Sequence, residues 1–295
     1  MAKVRRTKLL KEATAILTSD WHLREDPPTC FTGDWHQEQW KAVERVRELQ
    51  AKHNCPVIHA GDLFHHWKPS PGLISQALYF LPKKFYTIYG QHDLPQHSWE
   101  LRSKTGLHTL EVAGALTVLK ECHYGKMPVK GSLFFPGSEV TILVWHHLTY
   151  INPPFPGAKE GMAEGLLRKY PQFSLIVTGD NHQSFQTEYK DRHLVNPGSL
   201  TRQKADQIDF EPKVYLWYIE EGIISSVPIP YSEGTISREH LDVKKKRDNR
   251  IDSFITRIDD DWEVEMSFET NLKTYYSTNP TRESVKEIVY KATEK

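Results

Sequence analysis

Short apolar runs recur along the first two thirds of the chain, and several end on a small cluster of Gly, Asp and His. Residues 15–18 (Ala-Ile-Leu-Thr), 56–60 (Pro-Val-Ile-His-Ala) and 85–89 (Phe-Tyr-Thr-Ile-Tyr) read as buried strands. Between them lie stretches with the three-to-four-residue spacing of a helix face. Trp40, Val43, Val46 and Leu49 form one such face behind Asp34, which has N-cap character, and predict a helix to about Lys52. A second helix is predicted over residues 72–81. Strand and helix in alternation predict an α/β sheet, and open sheets of that kind gather ligands beyond the carboxyl ends of their strands.

The second half is richer in strands. Residues 115–119, 140–145, 175–178 and 214–219 are the clearest, with 222–229 pairing to the last as a hairpin and a helix over 158–169. From about residue 236 the composition shifts. We place a main domain at 1–235, a basic linker at 236–250 around Lys244-Lys245-Lys246-Arg247, and a small segment at 251–295. That last segment has helical patterning, Phe268, Leu272 and Tyr275 in one stretch and Val285, Ile288 and Val289 in another. Its apolar positions need a surface to cover them, which suits dimerisation or docking to a partner.

Charge narrows the picture little: 38 Lys and Arg balance 38 Asp and Glu, so no global field draws the chain to nucleic acid or membrane. Basic stretches at Lys3, Arg5, Arg6 and Lys8 and at residues 244–250 are candidate phosphate contacts, with plain solvated charge as the alternative. Cys30, Cys55 and Cys122 form no disulfide framework and no paired-cysteine zinc motif, which points to free thiols in a reducing cytoplasm. No run approaches the ~20 apolar residues that cross a bilayer.

Chemistry enters with five segments: Asp20-Trp21-His22, Gly61-Asp62-Leu63-Phe64-His65, Gly90-Gln91-His92-Asp93, His146-His147 and Gly179-Asp180-Asn181-His182. A dinuclear centre needs a carboxylate shared by two cations and further oxygen or imidazole ligands on each. On an extended chain Asp20 and His22 face the same side, and Asp180 and His182 repeat that spacing. Asp62, at the next strand end, is the natural bridging carboxylate. His146 and His147 leave one strand in opposite directions, so one of the two faces the metals. Asp34-Trp35-His36 copies the first segment but opens a helix, and Asp93 suits fixing the Gly90 loop. The remaining histidines, among them His59, read as structural or solvent-facing. Trp21, Trp67 and Trp99 are candidates for stacking on bases.

The order of these segments resembles the calcineurin-like metallophosphoesterases. More narrowly, Gly61-Asp62-Leu63-Phe64-His65 with Pro69-Ser70, and Asn196-Pro197-Gly198-Ser199 with Glu211-Pro212-Lys213-Val214, resemble the nuclease subunit of the SbcC–SbcD complex. The resemblance spans roughly residues 14 to 230 and implies a four-layer α-β-β-α sandwich with a small, partly helical C-terminal segment. It implies Asp20, His22 and His182 at a first metal, Asp62 bridging, and Gln91, His146 and Asp180 at a second. His92 would be the acid assisting the leaving oxygen, and His65 would orient the phosphate. Manganese is the expected ion, with magnesium the alternative, and DNA, an SbcC-like ABC-type ATPase and a second copy of the chain are the expected partners.

Two positions depart from the family pattern, both at the second metal. Gln91 stands where Asn is usual and Asp180 where His is usual. An anionic oxygen in place of imidazole favours a harder ion and weakens that site's Lewis acidity. Beside the DNA nuclease stand two other readings: a phosphodiesterase or phosphatase on a nucleotide or small phosphoester, and a scaffold that kept the fold without the chemistry.

Overall fold

The computed structural model describes residues 12–119, 130–134, 140–153, 160–239, 241, 245 and 268–293. The first sheet runs through β1 (Ala15–Thr18), β2 (Val57–His59), β3 (Phe85–Thr87) and β4 (Thr117–Val118), all parallel, joined by α1 (Trp35–His53), α2 (Pro71–Phe80) and α3 (Gly106–Val112). The second contains β5 (Lys130–Phe134), β6 (Thr141–His146), β7 (Leu175–Gly179), β8 (Phe185–Tyr189) and β9 (Arg192–Asn196), with α4 (Ala163–Lys169) between β6 and β7. The hairpin β10 (Lys213–Tyr218) and β11 (Ile223–Pro228) then returns to the first sheet. The spatial orders are β11-β10-β1-β2-β3-β4 and β5-β6-β7-β9-β8.

Adjacent strand residues feed different cores, which is why these runs are apolar without interruption. Ile16, Val57 and Val214 pack toward α1, α2 and α3 with Trp40, Val43, Val46 and Leu73. Their neighbours Leu17, Ile58 and Tyr215 pack between the sheets against Ile142, Val144, Val177 and Val195. Leu143 and Ile176, on the far face of the second sheet, meet Leu166 and Leu167 of α4. The result is helix, sheet, sheet, helix: the four-layer α/β sandwich that the family resemblance implies.

Helix starts follow local chemistry. The Asp34 side chain accepts from Gln37 N at 2.9 Å, and Ser70 Oγ accepts from Leu73 N at 3.1 Å ahead of Pro71. The helix expected over 158–169 begins only at Ala163. Gly161 has a φ of +85° and Tyr150 pairs with Met162 in an isolated bridge, so this backbone is held extended; residues 158 and 159 lie outside the described ones. β8 and β9 were not expected. Their two-residue turn is Lys190-Asp191, with Lys190 at φ +55°, and it lacks the Gly that signals such turns.

The chain divides into two compact units, Met1–Ser237 and Arg238–Lys295. The second carries α5 (Phe268–Thr278) and α6 (Glu283–Thr293). Within it Tyr276 packs against Tyr290 with ring centroids 5.8 Å apart, while Phe268, Val285 and Ile288 are exposed. Of the basic linker only residues 236–239, 241 and 245 are described; Lys244, residues 246–250, the N-terminal basic stretch and Cys122 lie outside the described residues. Among the described residues no helix is long and apolar enough to cross a membrane.

Candidate metal centre

Parallel pairing of β1 with β2 and of β6 with β7 brings four motif-bearing strand ends to one edge of the sandwich. Asp20, His22, Asp62 and His146 are all buried there. Asp20 and His22 do not use strand alternation to converge. β1 ends at Thr18, and Asp20 (φ +50°) and His22 (φ +44°) are both left-handed, as are Asp62 (φ +57°) and Asp180 (φ +76°). Left-handed backbone is uncommon outside glycine, and its concentration here marks a site whose surroundings impose the geometry. Trp21, between the two ligands, is driven into the core with Nε1 donating to Thr18 Oγ1 at 2.8 Å, so it is closed to base stacking. Trp99 packs edge-on against Tyr89, and Trp67 is half-buried.

Three groups of ligand atoms lie close enough to share an ion: Asp20, His22 and His182; Asp20, Asp62 and His146; and His22, His65 and His92. In the first, His22 Nε2 is 3.1 Å from His182 Nε2 and 3.7 Å from Asp62 Oδ2. Burial and nearby imidazoles hold His22 well below its ordinary basicity, and burial with the Lys204 ammonium holds His182 at about 4. Both rings are therefore neutral at pH 7 and offer lone pairs.

In the second group, His146 Nδ1 lies 2.8 Å from the Ala60 carbonyl, which can only accept, so Nδ1 carries the proton. Nε2 then faces Asp62 Oδ2 at 3.2 Å without a hydrogen-bond partner. Two lone pairs at that distance repel unless a proton or a cation lies between them. Burial opposes charge on His146, but the Asp62 carboxylate outweighs it and raises its basicity to about 10. Asp62, despite burial, is held below the usual carboxylate range by His146 and His22. Burial pushes the Asp20 carboxyl up to about 7, with His146 opposing and Asp62 adding to the rise. A pair of buried carboxylates beside orphaned imidazole nitrogens fits divalent cations, which would take the place of that proton.

Small residues make the approach close. A Cβ on Gly61 or Gly179 would come within 2.8 Å of His146 Nδ1, and one on Gly90 within 2.0 Å of Asp62 Oδ1. Asp93 fastens the loops: its carboxylate accepts from Leu63 N, Phe64 N and Gly90 N at 3.0–3.2 Å. His147 does not join the cluster; its ring stacks on Trp145 at 4.1 Å. His59 is buried beneath the site with Nδ1 2.8 Å from Thr87 Oγ1.

At the exposed rim Gln91 Nε2 donates to Asp180 Oδ1 at 2.8 Å, so the structure brings these two to each other rather than into the buried groups. Asp180 and His182 thus part company: the first turns to Gln91, while its backbone N–H reaches Asp20 at 3.1 Å, and the second turns to His22. His92 is half-buried, its N–H donating to Asp62 Oδ1 and its Nδ1 to the His65 carbonyl, both at 2.8 Å. That leaves Nε2 as the atom able to gain and give a proton. The His65 ring is stacked 5.3 Å from His92, and burial, then the Arg24 guanidinium, hold it at about 4.

Sequence reasoning gave Asn196-Pro197-Gly198-Ser199 no role beyond resemblance. Asn196 Nδ2 donates to Asn181 O at 2.6 Å and Gln183 O at 2.7 Å, clasping the backbone on both sides of His182, while Ser199 N donates to His182 O at 3.2 Å. Ser19 Oγ donates to Gly198 O at 3.0 Å, tying this loop to the Asp20 segment. A buried Asn at a strand end was the only signal.

The sequence pattern of the calcineurin-like phosphoesterase superfamily domain matches residues 16–216, which takes in all the segments above. The chain belongs to that superfamily. Its members use divalent metal ions, in keeping with the donor set. Solved structures of similar shape include a novel archaeal phosphodiesterase (14% identity, TM-score 0.44, 72% of this chain and 98% of the other). Others are Vps29 of Chaetomium thermophilum (12%, 0.37, 74% and 98%) and a metallophosphoesterase of Sphaerobacter thermophilus (11%, 0.38, 74% and 88%).

Proposed function

We propose that this protein is a manganese-dependent DNA nuclease of the SbcD type, hydrolysing phosphodiester bonds in DNA repair, recombination or degradation beside an SbcC-like ATPase in the cytoplasm. The observation that carries the reading is the convergence of Asp20, His22, Asp62, His146 and His182 with His92 at the rim. Asp20, His22 and His182 would hold one cation, Gln91, His146 and Asp180 the other, and Asp62 both. Bound there, the ions would neutralise charge on the phosphoryl oxygens and lower the pKa of the attacking water. Carboxylate and amide oxygens at Gln91 and Asp180 suit manganese or magnesium better than zinc.

His92 does the proton work in this reading. With Nδ1–H fixed on the His65 carbonyl, a protonated Nε2 is placed to give its proton to the departing oxygen. Support for a long substrate comes from the groove beside His65, about 210 Å³, lined by Arg24, His66, Lys68 and Ser70 together with Glu25 and Asp26. The exposed Phe268, Val285 and Ile288 suit docking to the ATPase or to a second copy.

Purified protein with manganese, offered linear double-stranded, single-stranded and hairpin DNA beside a chromogenic phosphodiester, tests the proposal. Degraded DNA is the expected result. Turnover of the small ester alone points to a phosphodiesterase, and metal-loaded protein that turns over neither points to a scaffold.

A further inference from the structure

Two basic residues flank the Asp20–His22 segment, each on a braced backbone. Arg24 follows His22 by two residues. Its carbonyl accepts from Trp35 Nε1 at 3.2 Å and Gln39 Nε2 at 2.9 Å, and its N–H donates to Gln39 Oε1 at 3.1 Å. The guanidinium spends Nε on the Asp26 carbonyl at 2.5 Å and lines the groove with His65 and Lys68. Its two terminal nitrogens bond no other described residue. Glu25, in the same groove, is turned to Ser70 Oγ.

Lys204 approaches the same segment from a different loop. Gln203 Nε2 donates to the Trp21 carbonyl at 3.1 Å and Lys204 N donates to Gln207 Oε1 at 3.1 Å, which holds this exposed lysine against the Asp20–His22 segment. Neither side chain forms a close ion pair among the described residues, though the Asp26 carboxylate lies near enough to act on Arg24.

Basic side chains beside a centre that must itself take up divalent cations disfavour metal loading. The placement becomes favourable when the ligand brings negative charge to both side chains. A mononucleotide concentrates its charge at one phosphate or one run of phosphates, whereas a nucleic-acid strand carries one at every nucleotide. We infer that Arg24 and Lys204 contact the backbone phosphates on either side of the one being cleaved, so that the strand crosses the site from the Arg24 groove to Lys204. The inference rests on the nuclease reading and gives the path of its substrate.

The test is binding of a fluorescein-labelled single-stranded 20-mer to the full chain in EDTA, read by anisotropy over a salt series. Arg24→Gln and Lys204→Gln should each weaken binding roughly 3- to 10-fold at 0.1 M salt and flatten the log–log salt slope by about 0.7, the double variant by about 1.4. Arg24→Lys should keep most of the slope, and Lys190→Gln, on the β8–β9 turn, should match wild type. Thermal melts establish that each variant folds; should Arg24→Gln not fold, Lys204→Gln and Arg24→Lys carry the test. Unchanged slopes in a protein that binds and cuts DNA would overturn this path and leave the nuclease reading standing. A wild-type protein that hydrolyses the chromogenic diester but neither binds nor cuts DNA removes both.

Discussion

Gly90→Ala perturbs the bridging carboxylate without touching it chemically. Gly90 is not in the left-handed region, so alanine's backbone preference is no obstacle, and the effect is purely one of space. The new Cβ would stand 2.0 Å from Asp62 Oδ1 and 2.3 Å from Asp62 N, where about 3.5 Å is ordinary contact. Asp62 Oδ1 is already held by His92 N at 2.8 Å, and Gly90 N by Asp93 Oδ2 at 3.0 Å, so neither partner can retreat alone. Relief requires a backbone shift of roughly 1 Å. Overpacking of this kind costs about 1–3 kcal/mol, and a clash with backbone places it near the upper end. At roughly 2–4 °C per kcal/mol for a domain of this size, the melting temperature should fall by about 6–12 °C. Moving Asp62 should also drop manganese stoichiometry from two ions to at most one. Titration calorimetry and thermal melts with and without manganese measure both. A variant that loads the wild-type number of ions and melts within about 1 °C of wild type would refute the reasoning, because the site would then not need a residue without Cβ.

His92→Ala should lower phosphodiester hydrolysis by roughly 10²- to 10⁴-fold while both ions stay bound; loss of metal would show that His92 holds an ion instead of a proton. Asp62→Ala should remove both ions together, and retention of either by calorimetry would deny it the bridging place. His59 is lowered to about 3, by burial first and then by His146, so its folded value lies below the unfolded ~6.5 and the unfolded chain binds the extra proton between them. Its contribution to metal-free stability is therefore complete above pH 6.5 and is lost as pH falls, about 2 kcal/mol by pH 5. Urea unfolding at pH 7 and 5 should show this, and an equally steep decline in His59→Phe would rule His59 out as its source. Burial pushes the Cys55 thiol up to about 11, so iodoacetamide at pH 8 should label it only after unfolding, as read by mass spectrometry; rapid labelling of the native chain would contradict that burial.

What the sequence by itself determined is local. Continuous apolar runs required strands buried on two faces, and β1, β2, β3, β6, β7 and β10 lie where those runs are. Asp34 and Ser70 begin α1 and α2 because a side-chain oxygen there satisfies a free N–H at the helix start. The order of the Asp- and His-bearing segments sufficed to name the superfamily. The tertiary structure decided everything that depends on side-chain direction beyond a strand end. Asp20 and His22 meet through left-handed backbone rather than alternation, Asp180 parts from His182 to bond Gln91, and His146 enters the site while His147 stacks on Trp145. The clasp of Asn196 around His182 and the bond from Gln203 to the Trp21 carbonyl join positions up to 182 residues apart. Periodicity and capping are written in neighbouring residues, whereas such meetings are fixed by the order and register of strands in two packed sheets, which no short stretch of chain encodes.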